Sequence, residues 1–395
     1  MKKWPKVVLI ILLFLFSIGA TAFITMKEAQ TYFEQKSGSV IDSKTNEIMS
    51  YFDRYFIADY DDNEMADMAA QGLVAGCGDQ WTSYMSAEDY QNNMQFFTNS
   101  YAGIGMTVTE DPETKALLVT EVIPGGPADL AGVEVGDFLE EVDGQKTSQL
   151  GMDQTVQLVK GEIGTAVHLA FARGEKTYEV DVVRDEIATV VSSYEMLEDQ
   201  IGYIVIDNFE TRCAEETLSN LQTLLQMGAK GIIFDLRFNG GGQMKQLAEI
   251  LDELLPEGTI ISTEDYSGYQ DVITSDAECI EIPMVVLVNG YSYSAAEFFA
   301  CALQEYGLAT VVGEKTSGKG YFQNGFVLSD GSYLHLSIGK YFTPQGRSLI
   351  GVGVTPDIEV QLSEESAAKL YYGQLDRQDD LQLIAAVAEM QKKIS

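Results

Sequence analysis

A serine at the predicted start of a helix is the first residue of this sequence that could act as a nucleophile. An apolar run at 284–288 predicts a strand, and Ser294 follows that strand, three residues before Glu297. A Ser-x-x-Glu spacing is typical of a capping box, which satisfies backbone N–H groups at a helix N-terminus. The same position also suits a nucleophile, because free N–H groups and the positive end of the helix dipole can stabilise an oxyanion. Both interpretations of Ser294 stay open on these residues alone.

A serine nucleophile needs a base, and this chain offers few histidines. Its two histidines, His168 and His335, lie in segments that are predicted as strands, away from obvious loops. A lysine can serve instead when burial lowers its pKa towards neutrality, because desolvation disfavours the ammonium form. Lys319 is the candidate, since a glycine on either side permits close approach of the backbone, whereas Lys315 has no such neighbours. A solvated surface lysine is the alternative for both.

The region that must position Ser294 and Lys319 is predicted as an α/β domain over residues 187–362. Apolar strands alternate there with helices, and this alternation predicts a mostly parallel sheet with helices packed on it. The predicted strands lie at 201–206, 231–236, 284–288 and 309–313, and the main predicted helices lie at 215–227 and 295–306. A polar, helical tail is predicted for residues 363–395.

Residues 99–186 have a different pattern, in which short strands alternate with glycine and proline turns. The string from Pro124 to Gly144 resembles a PDZ domain, with glycines at the expected turns. The resemblance implies that the backbone N–H groups of one loop bind the carboxylate of a peptide C-terminus, and that the peptide adds as a strand. That loop consists of Gly103, Ile104, Gly105 and Met106. A small β-rich domain without a ligand is the alternative.

The N-terminus has the pattern of a membrane-targeting segment. Three lysines precede an uncharged apolar run, Val7–Met26, whose 20 residues are enough for a helix to cross about 30 Å of hydrocarbon. The lysines favour an inside N-terminus, which predicts a single-pass anchor in the cell membrane with the rest of the chain on the extracytoplasmic side. A cleaved signal peptide is the alternative, with a small-x-small site at residues 20–22. Residues 1–26 are assigned to targeting in both cases.

Residues 27–98 are predicted to form a helical region with aromatic and methionine side chains on one face. Such a face packs against the rest of the molecule or against a second copy of the chain. A homodimer is therefore one of two expected arrangements for this region.

Composition excludes several classes of function. Sixty acidic residues against 25 basic ones give a net charge of −35, whereas nucleic-acid binding needs clusters of Lys and Arg. Two histidines are too few for a multi-histidine metal site, so we expect no metal. The segment 313–320 is close to a P-loop but ends in Gly instead of the Ser or Thr that binds Mg²⁺, and a strand is predicted after it. We therefore expect no nucleotide and no other cofactor.

Five motifs, taken in order along the chain, resemble the carboxyl-terminal processing peptidases, also called tail-specific proteases. They lie at 235–242, 285–300, 311–323, 341–348 and 353–360. The likeness extends over nearly the whole chain, including the PDZ-like region and the N-terminal anchor. It implies a ClpP/crotonase-like α/β peptidase core with a serine peptidase activity.

The resemblance assigns roles to five residues of this sequence. It places the nucleophile on Ser294 and the general base on Lys319, 25 residues apart as in the family. It places on Gln323 the glutamine that supports the lysine. It assigns the oxyanion hole to the backbone N–H groups of Ala295 and Gly241.

Four positions near these residues depart from the family pattern. Tyr293 and Ala296 stand where the family usually has Ala and Ser, Ser317 stands in place of Phe, and Gly240 stands in place of Pro. None of these changes removes a predicted catalytic group. They predict altered local packing and altered substrate pockets. The extra glycine, Gly240, predicts a looser loop around Gly241, which we call the oxyanion loop.

The sequence therefore predicts a membrane-anchored serine endopeptidase with a Ser–Lys dyad. Its substrates would be exported proteins whose accessible C-termini the PDZ domain recognises. The alternative is a peptide-binding adaptor, in which the peptidase fold is silent or gated by a partner. The presence of Ser294, Lys319 and Gln323 favours the enzyme. An activator protein that opens the site would be an additional partner.

Overall fold

The computed structural model describes residues 39–111 and 114–395 of the chain. The predicted anchor at 7–26 and its alternative cleavage site lie outside these residues. No helix in the described part is both long and apolar enough to cross a bilayer. The chain divides into a first unit, Met1–Ala69, and a second unit, Ala70–Ser395, which are described separately.

Helix α1, Val40–Tyr55, is the main element that is described in the first unit. None of its residues is buried, and its large apolar side chains Ile48, Tyr51 and Tyr55 are exposed. Helix α2, Asp62–Ala75, follows and continues into the second unit. The exposed side chains agree with the apolar face that the sequence predicts here, and the partner of that face stays a prediction.

The second unit continues with strand β1 (Ser83–Met85), helix α3 (Ala87–Thr98) and strand β2 (Ser100–Gly103), and then enters a β-rich domain. The elements of this domain are β3 (Met106–Glu110), β4 (Leu117–Val122), α4 (Pro127–Leu130), β5 (Phe138–Val142), β6 (Gln145–Lys146), α5 (Thr147–Val159), β7 (Ala166–Arg173) and β8 (Lys176–Val183). Its antiparallel sheet has the order β3–β4–β5–β7–β8, with β6 paired to β5. Alternate residues of β7 are buried, namely Val167, Leu169 and Phe171, as expected for a sheet with one covered face.

A parallel sheet forms the centre of the rest of the unit. Its elements are β10 (Ser192–Met196), β11 (Ile201–Ile206), α6 (Cys213–Gln226), β12 (Gly231–Asp235), α7 (Met244–Asp252), β15 (Met284–Val288), α8 (Ala295–Glu305), β16 (Ala309–Gly313) and β19 (Ile358–Glu359). The strand order is β10–β11–β12–β15–β16–β19, and only β10 runs antiparallel to its neighbour. Every residue of β12 and β15 is buried, as expected for central strands with both faces covered. The predicted mostly parallel α/β sheet is confirmed.

The two faces of this sheet are covered by different helices. Helices α6, α7 and α8 contribute side chains to the core on one face. On the other face, helix α10 (Leu381–Ile394) buries Leu383, Ala386 and Met390 against the sheet. The tail that the sequence predicts as polar and helical thus contains α9 (Glu364–Tyr371) and α10. Helix α10 packs on one face of the sheet.

A second antiparallel sheet lies next to the segment that carries Lys319. It consists of β13 (Gly258–Asp265), β14 (Gln270–Ser275), β17 (Tyr321–Val327) and β18 (Tyr333–Phe342), together with β1. Strand β17 starts two residues after Lys319, so a strand follows the P-loop-like segment, as predicted. Strand β1 pairs with β18 in the register Ser83 opposite His335, which brings the turn before β1 close to Lys319.

Both connections between the β-rich domain and the rest of the second unit pass through one strand pair, β2 with β9 (Asp185–Ala188). The guanidinium of Arg212 donates to the carbonyl oxygens of Thr98, Asn99 and Thr189, which belong to the two connections. The amides of Asn99 and Asn208 exchange two hydrogen bonds, of 3.1 and 2.9 Å. The loop that carries Asn208 and Arg212 therefore holds both connections.

Candidate active site

Ser294 lies between strand β15 and helix α8, at the N-cap of the helix. Its φ of 58° is in the left-handed region, which is uncommon for a residue with a side chain. The Ser294 N–H donates to Glu297 Oε2 at 2.9 Å, and the Glu297 N–H donates to the Ser294 carbonyl oxygen at 2.9 Å. The carboxylate half of the predicted capping box is therefore present, and Ser294 stands in a strained conformation with its backbone N–H fixed.

The carboxylate of Glu297 joins the Ser294 turn to the segment that carries Lys319. Glu297 is fully buried. Its Oε1 accepts hydrogen bonds from Thr316 Oγ1 at 2.5 Å and Gly318 N at 2.7 Å, and its Oε2 accepts one from Lys319 N at 2.8 Å as well as the one from Ser294. We call these five residues the Glu297 cluster. Burial raises the pKa of Glu297, whereas the four hydrogen bonds oppose that rise.

The sequence interpretation gave Glu297 only the role of a helix cap. The structure adds that the same carboxylate binds a segment about twenty residues further along the chain. No local pattern indicates this contact, because the hydroxyl of Thr316 and the N–H of Gly318 can donate to any acceptor in the protein or to water. Glu297 therefore sets the distance between the predicted nucleophile and the predicted base.

Lys319 is 9% exposed, whereas its competitor Lys315 is exposed. The close approach expected of the flanking glycines is present. A Cβ on Gly320 would come within 2.7 Å of Ile350 Cγ1, and one on Gly318 would meet backbone atoms at 3.0 Å. Burial lowers the Lys319 pKa from 10.5 to about 8, against the nearby negative charges of Asp79, Glu297 and Glu210. Lys319 thus has the environment that a lysine base requires.

The Lys319 ammonium lies against two aromatic rings. Its Nζ is 4.8 Å from the centre of the Trp81 ring and 5.7 Å from the centre of the Tyr293 ring. Within the described part of the chain, Nζ makes no hydrogen bond and no ion pair, so it is not bonded to Ser294 Oγ. Trp81 and Tyr293 together are called the aromatic corner below.

Gln323 makes no hydrogen bond to Lys319 in the described arrangement, and its predicted role in supporting the lysine stays a prediction. Its Nε2 donates to the Tyr321 carbonyl oxygen at 3.1 Å and to Ser337 Oγ at 3.0 Å. The reason is local, since Gln323 lies on strand β17 and its amide is used by that strand and by β18. The structure therefore brings Ser294 and Lys319 to one place and leaves Gln323 engaged elsewhere.

The two predicted oxyanion donors lie next to each other. A Cβ on Gly241 would be 2.7 Å from Ser294 Cβ and 2.9 Å from the Ala295 nitrogen, so only glycine fits at this position. The Gly241 N–H, however, donates to Asn239 Oδ1 at 2.8 Å. The N–H that is predicted to bind an oxyanion is thus occupied by a side chain of its own loop.

Trp81 is the residue of this site that the sequence interpretation missed. The preceding Asp79 accepts hydrogen bonds from Trp81 N at 3.1 Å and Thr82 Oγ1 at 2.6 Å, and the Ser337 N–H of β18 donates to Thr82 Oγ1 at 3.1 Å. These bonds hold the turn against β18 and place the indole beside Lys319. No pattern in the sequence indicates that this turn lies beside a lysine more than two hundred residues away.

The predicted peptide-binding loop lines a cavity of the β-rich domain. Gly103, Ile104, Gly105 and Met106 all contribute to an enclosed cavity of about 70 Å³. A more open groove of about 470 Å³ shares the side chains of Met106 and Val156. The walls are mainly apolar, which suits apolar side chains near a peptide C-terminus.

The chain is similar to known proteins over most of its length. Residues 200–360 match peptidase family S41, and residues 118–173 match the PDZ domain. The chain is 31% identical to the carboxy-terminal processing protease CtpA of Bacillus subtilis, over 95% of this chain and 81% of that protein. It is 33% identical to the carboxy-terminal-processing protease of Bartonella bacilliformis, over 76% of this chain and 70% of that protein. A solved photosystem II D1 C-terminal processing protease covers 80% of this chain and 86% of that chain at 25% identity, with a TM-score of 0.46.

The fold and these matches define a class, the serine-type peptidases that carry a PDZ domain. Within that class, the chain belongs to the carboxyl-terminal processing proteases of peptidase family S41. Its substrates are accordingly peptides or proteins.

Proposed function

We propose that this protease is an endopeptidase with a Ser294–Lys319 dyad. The observation that carries the proposal is the Glu297 cluster, in which one buried carboxylate bonds the backbone N–H groups of both residues. Such a link holds a nucleophile and a base at a fixed separation. The low pKa of Lys319, about 8, supports its role as the base.

In the proposed reaction, neutral Lys319 takes the proton from Ser294 Oγ as that oxygen bonds to the scissile carbonyl carbon. The N–H groups of Ala295 and Gly241 donate to the oxyanion that forms. Lys319 then gives its proton to the leaving amine as the peptide bond breaks. A water molecule next attacks the acyl-enzyme with Lys319 as base, which releases the new C-terminus and restores Ser294.

Two changes lead from the present arrangement to this reaction. The Lys319 Nζ leaves the aromatic corner for Ser294 Oγ, and the Gly241 N–H exchanges Asn239 Oδ1 for the oxyanion. We place Gln323 next to the lysine only in that second state. The arrangement described above is therefore proposed to be a resting state of the enzyme.

The PDZ domain is proposed to bind the C-terminus of a substrate and to control this change. Support comes from the loop at 207–212, which holds both connections to the PDZ domain and also pairs with the oxyanion loop. In that pairing, the Phe209 N–H donates to the Gly241 carbonyl oxygen and the Gln243 N–H donates to the Phe209 carbonyl oxygen, each at 2.7 Å. A shift of the PDZ connections would thus be transmitted to Gly241.

The proposed place of action is the extracytoplasmic side of the cell membrane, with residues 7–26 as the anchor. The uncharged run and the preceding lysines support it. Substrates would be exported proteins with accessible C-termini. A second copy of the chain or an activator protein would be further partners, and the exposed side chains of helix α1 support the former.

The test uses the full chain in detergent micelles, with an unstructured protein and with peptides that differ only at their C-termini. Ser294→Ala and Lys319→Ala are measured beside the parent. Cleavage by the parent alone, and faster cleavage of peptides with apolar C-termini, is the expected result. Equal cleavage by all three proteins would show that the dyad is assigned wrongly.

The second candidate function is a peptide-binding adaptor, which the missing hydrogen bond between Ser294 and Lys319 in the described arrangement favours. It would be supported if peptides bind the parent while no condition produces cleavage. Gly103→Val would then abolish peptide binding, since a side chain there collides with the Tyr101 ring.

A further inference from the structure

The aromatic corner is the only partner that the described structure gives to the Lys319 ammonium at close range. The two rings lie 5.4 Å apart and are tilted by 40°, so that each presents a surface to Nζ. A cation within about 6 Å of an aromatic face is attracted by the negative face of the ring. A neutral amine gains little from the same contact. The corner therefore favours the protonated lysine.

The corner exists because of a pair of residues that depart from the family pattern. Tyr293 stands in place of the usual Ala and Gly240 in place of the usual Pro. A Cβ on Gly240 would lie 2.7 Å from the Tyr293 hydroxyl oxygen and 3.0 Å from Cζ. The glycine thus makes room for the tyrosine, and the tyrosine ring reaches from the oxyanion loop to the lysine.

The other charged groups near Lys319 do not replace the rings. Asp79, Glu210 and Glu297 act on its ammonium through space, and none of them accepts a hydrogen bond from Nζ. His335 of β18 is also close, and burial together with the Lys319 charge lowers its pKa below 6.5. A titration of the site is therefore assigned to Lys319 only by comparison with variants of Lys319 itself.

We propose that Trp81 and Tyr293 are positioning residues that hold the Lys319 ammonium away from Ser294 and set the pH at which the base becomes available. The proposal rests on the proposed function, since it assumes that Lys319 is the base. Release of the ammonium from the rings is then the step that starts the assembly of the dyad. The rings never touch the reacting atoms and act only through the lysine.

The first test is the dependence of kcat/KM on pH for Trp81→Leu, Tyr293→Leu and the double variant. Loss of a ring removes an attraction that only the ammonium has. The part of the pH profile in which kcat/KM rises should therefore move to lower pH by about half a unit to one unit for each ring that is lost. At pH 7, about one unit below the Lys319 pKa of about 8, this gives about a three- to fivefold rise in kcat/KM for the loss of one ring. Trp81→Phe and Tyr293→Phe, which keep the ring faces, should move this part of the profile much less.

A packing role or a substrate-contact role gives a different result. Either role would lower kcat or raise KM by a similar factor at every pH, and the midpoint would stay where it is in the parent. An unchanged midpoint in the double variant overturns the proposal.

The second test does not depend on cleavage. The chain has two tryptophans, so Trp4→Phe leaves Trp81 as the single indole. The emission of Trp81 should change with a midpoint near the Lys319 pKa of about 8. In Lys319→Met, and in Lys319→Arg with its permanent charge, the emission should not titrate between pH 7 and 9. The same titration in both variants, each folded by circular dichroism, would overturn the proposal.

The two tests separate failure of this proposal from failure of the dyad. If Ser294→Ala cleaves as fast as the parent while Trp81 emission still titrates with Lys319, the dyad is wrong and the ring contact is correct. If the dyad variants are inactive but neither the midpoint nor the emission depends on the rings and Lys319, the dyad stands and the aromatic corner has no role.

Discussion

The Glu297 cluster and the aromatic corner surround two buried charges with different partners, hydrogen-bond donors in the first and aromatic rings in the second. In the cluster, each carboxylate oxygen of Glu297 accepts two hydrogen bonds, three of them from backbone N–H groups. In the corner, the Lys319 ammonium is nearly as deeply buried and lies against two ring faces, and no group in the described part of the chain accepts a hydrogen bond from it. The two charges belong to one site, since Glu297 bonds the backbone of the residue whose side chain ends in the corner.

The difference separates what is fixed in this site from what can move. Hydrogen bonds are directional, so the Glu297 cluster holds the backbone of the Ser294 turn and of the 316–319 segment in one geometry. A ring face attracts a cation over a wide range of positions, and the corner can release the ammonium without breaking a hydrogen bond. The site thus combines a preformed frame with a side chain that is not yet engaged.

The largest effect is expected when the cluster is broken by Glu297→Ala. Four donors lose their acceptor inside the protein, and each buried unsatisfied group costs about 1–3 kcal/mol. The free energy of unfolding should fall by at least about 4 kcal/mol, and cleavage should fall at least about 100-fold because Ser294 and Lys319 are no longer held together. Urea denaturation and peptide cleavage measure the two quantities.

Glu215→Ala is the matched control for this variant. Glu215 occupies the same third position of helix α6 but is exposed. Its removal should change the free energy of unfolding by less than about 1 kcal/mol and leave cleavage unchanged. If the two alanine variants lose similar stability, Glu297 acts only through the helix dipole and the cluster does not hold the site.

A smaller effect is expected when the buried charge of the corner is removed by Lys319→Met. The lysine pKa is about 8 in the folded chain and 10.5 as its ordinary value. Between these values the unfolded chain binds the proton and the folded chain does not, so the lysine makes stability rise with pH across this window. Below pH 8 the folded protein carries the full cost of the buried ammonium, about 3 kcal/mol.

Lys319→Met lacks this cost, so the variant should be more stable than the parent at pH 7. The advantage should shrink as pH rises through 8 and should be nearly lost by about pH 11, above the ordinary lysine pKa of 10.5. Denaturation curves of both proteins at several pH values measure the difference, and the other titrating groups cancel in it. A difference that does not change with pH would mean that the Lys319 ammonium is not destabilised by burial.

The sequence predicts the frame of this fold better than it predicts the site. Strands β12 and β15 are short apolar runs next to glycines and turns, and their burial follows from composition alone. The start of helix α8 follows from a capping box. The spacing of Leu383, Ala386 and Met390 is also sufficient to predict an apolar helix face, although the tail is polar overall.

Contacts between distant segments could not be derived in the same way. Trp81 reaches Lys319 only because β1 pairs with β18, and no local pattern specifies that pairing. The structure places Gly241 against Ser294. The resemblance to the family assigns its N–H to the oxyanion hole, and that role stays a prediction. The resemblance does not indicate that Asn239 occupies the Gly241 N–H in this arrangement, because that bond depends on one side-chain rotamer.

The smallest predicted effect concerns the strain that the Glu297 cluster maintains at Ser294. The serine has a φ of 58°, and glycine adopts this region without the cost that a Cβ brings. Ser294→Gly should therefore be more stable than Ser294→Ala by about 1 kcal/mol more than the ordinary preference of an N-cap for glycine over alanine, and we call this excess the extra glycine advantage. Combining each variant with Glu297→Ala sharpens the comparison, because a turn released from the carboxylate can relax to negative φ. The extra glycine advantage should then fall to a few tenths of a kcal/mol, while the ordinary N-cap preference for glycine remains. An extra glycine advantage that persists in the absence of Glu297 would show that the strain is imposed by strand β15 and helix α8 rather than by the cluster.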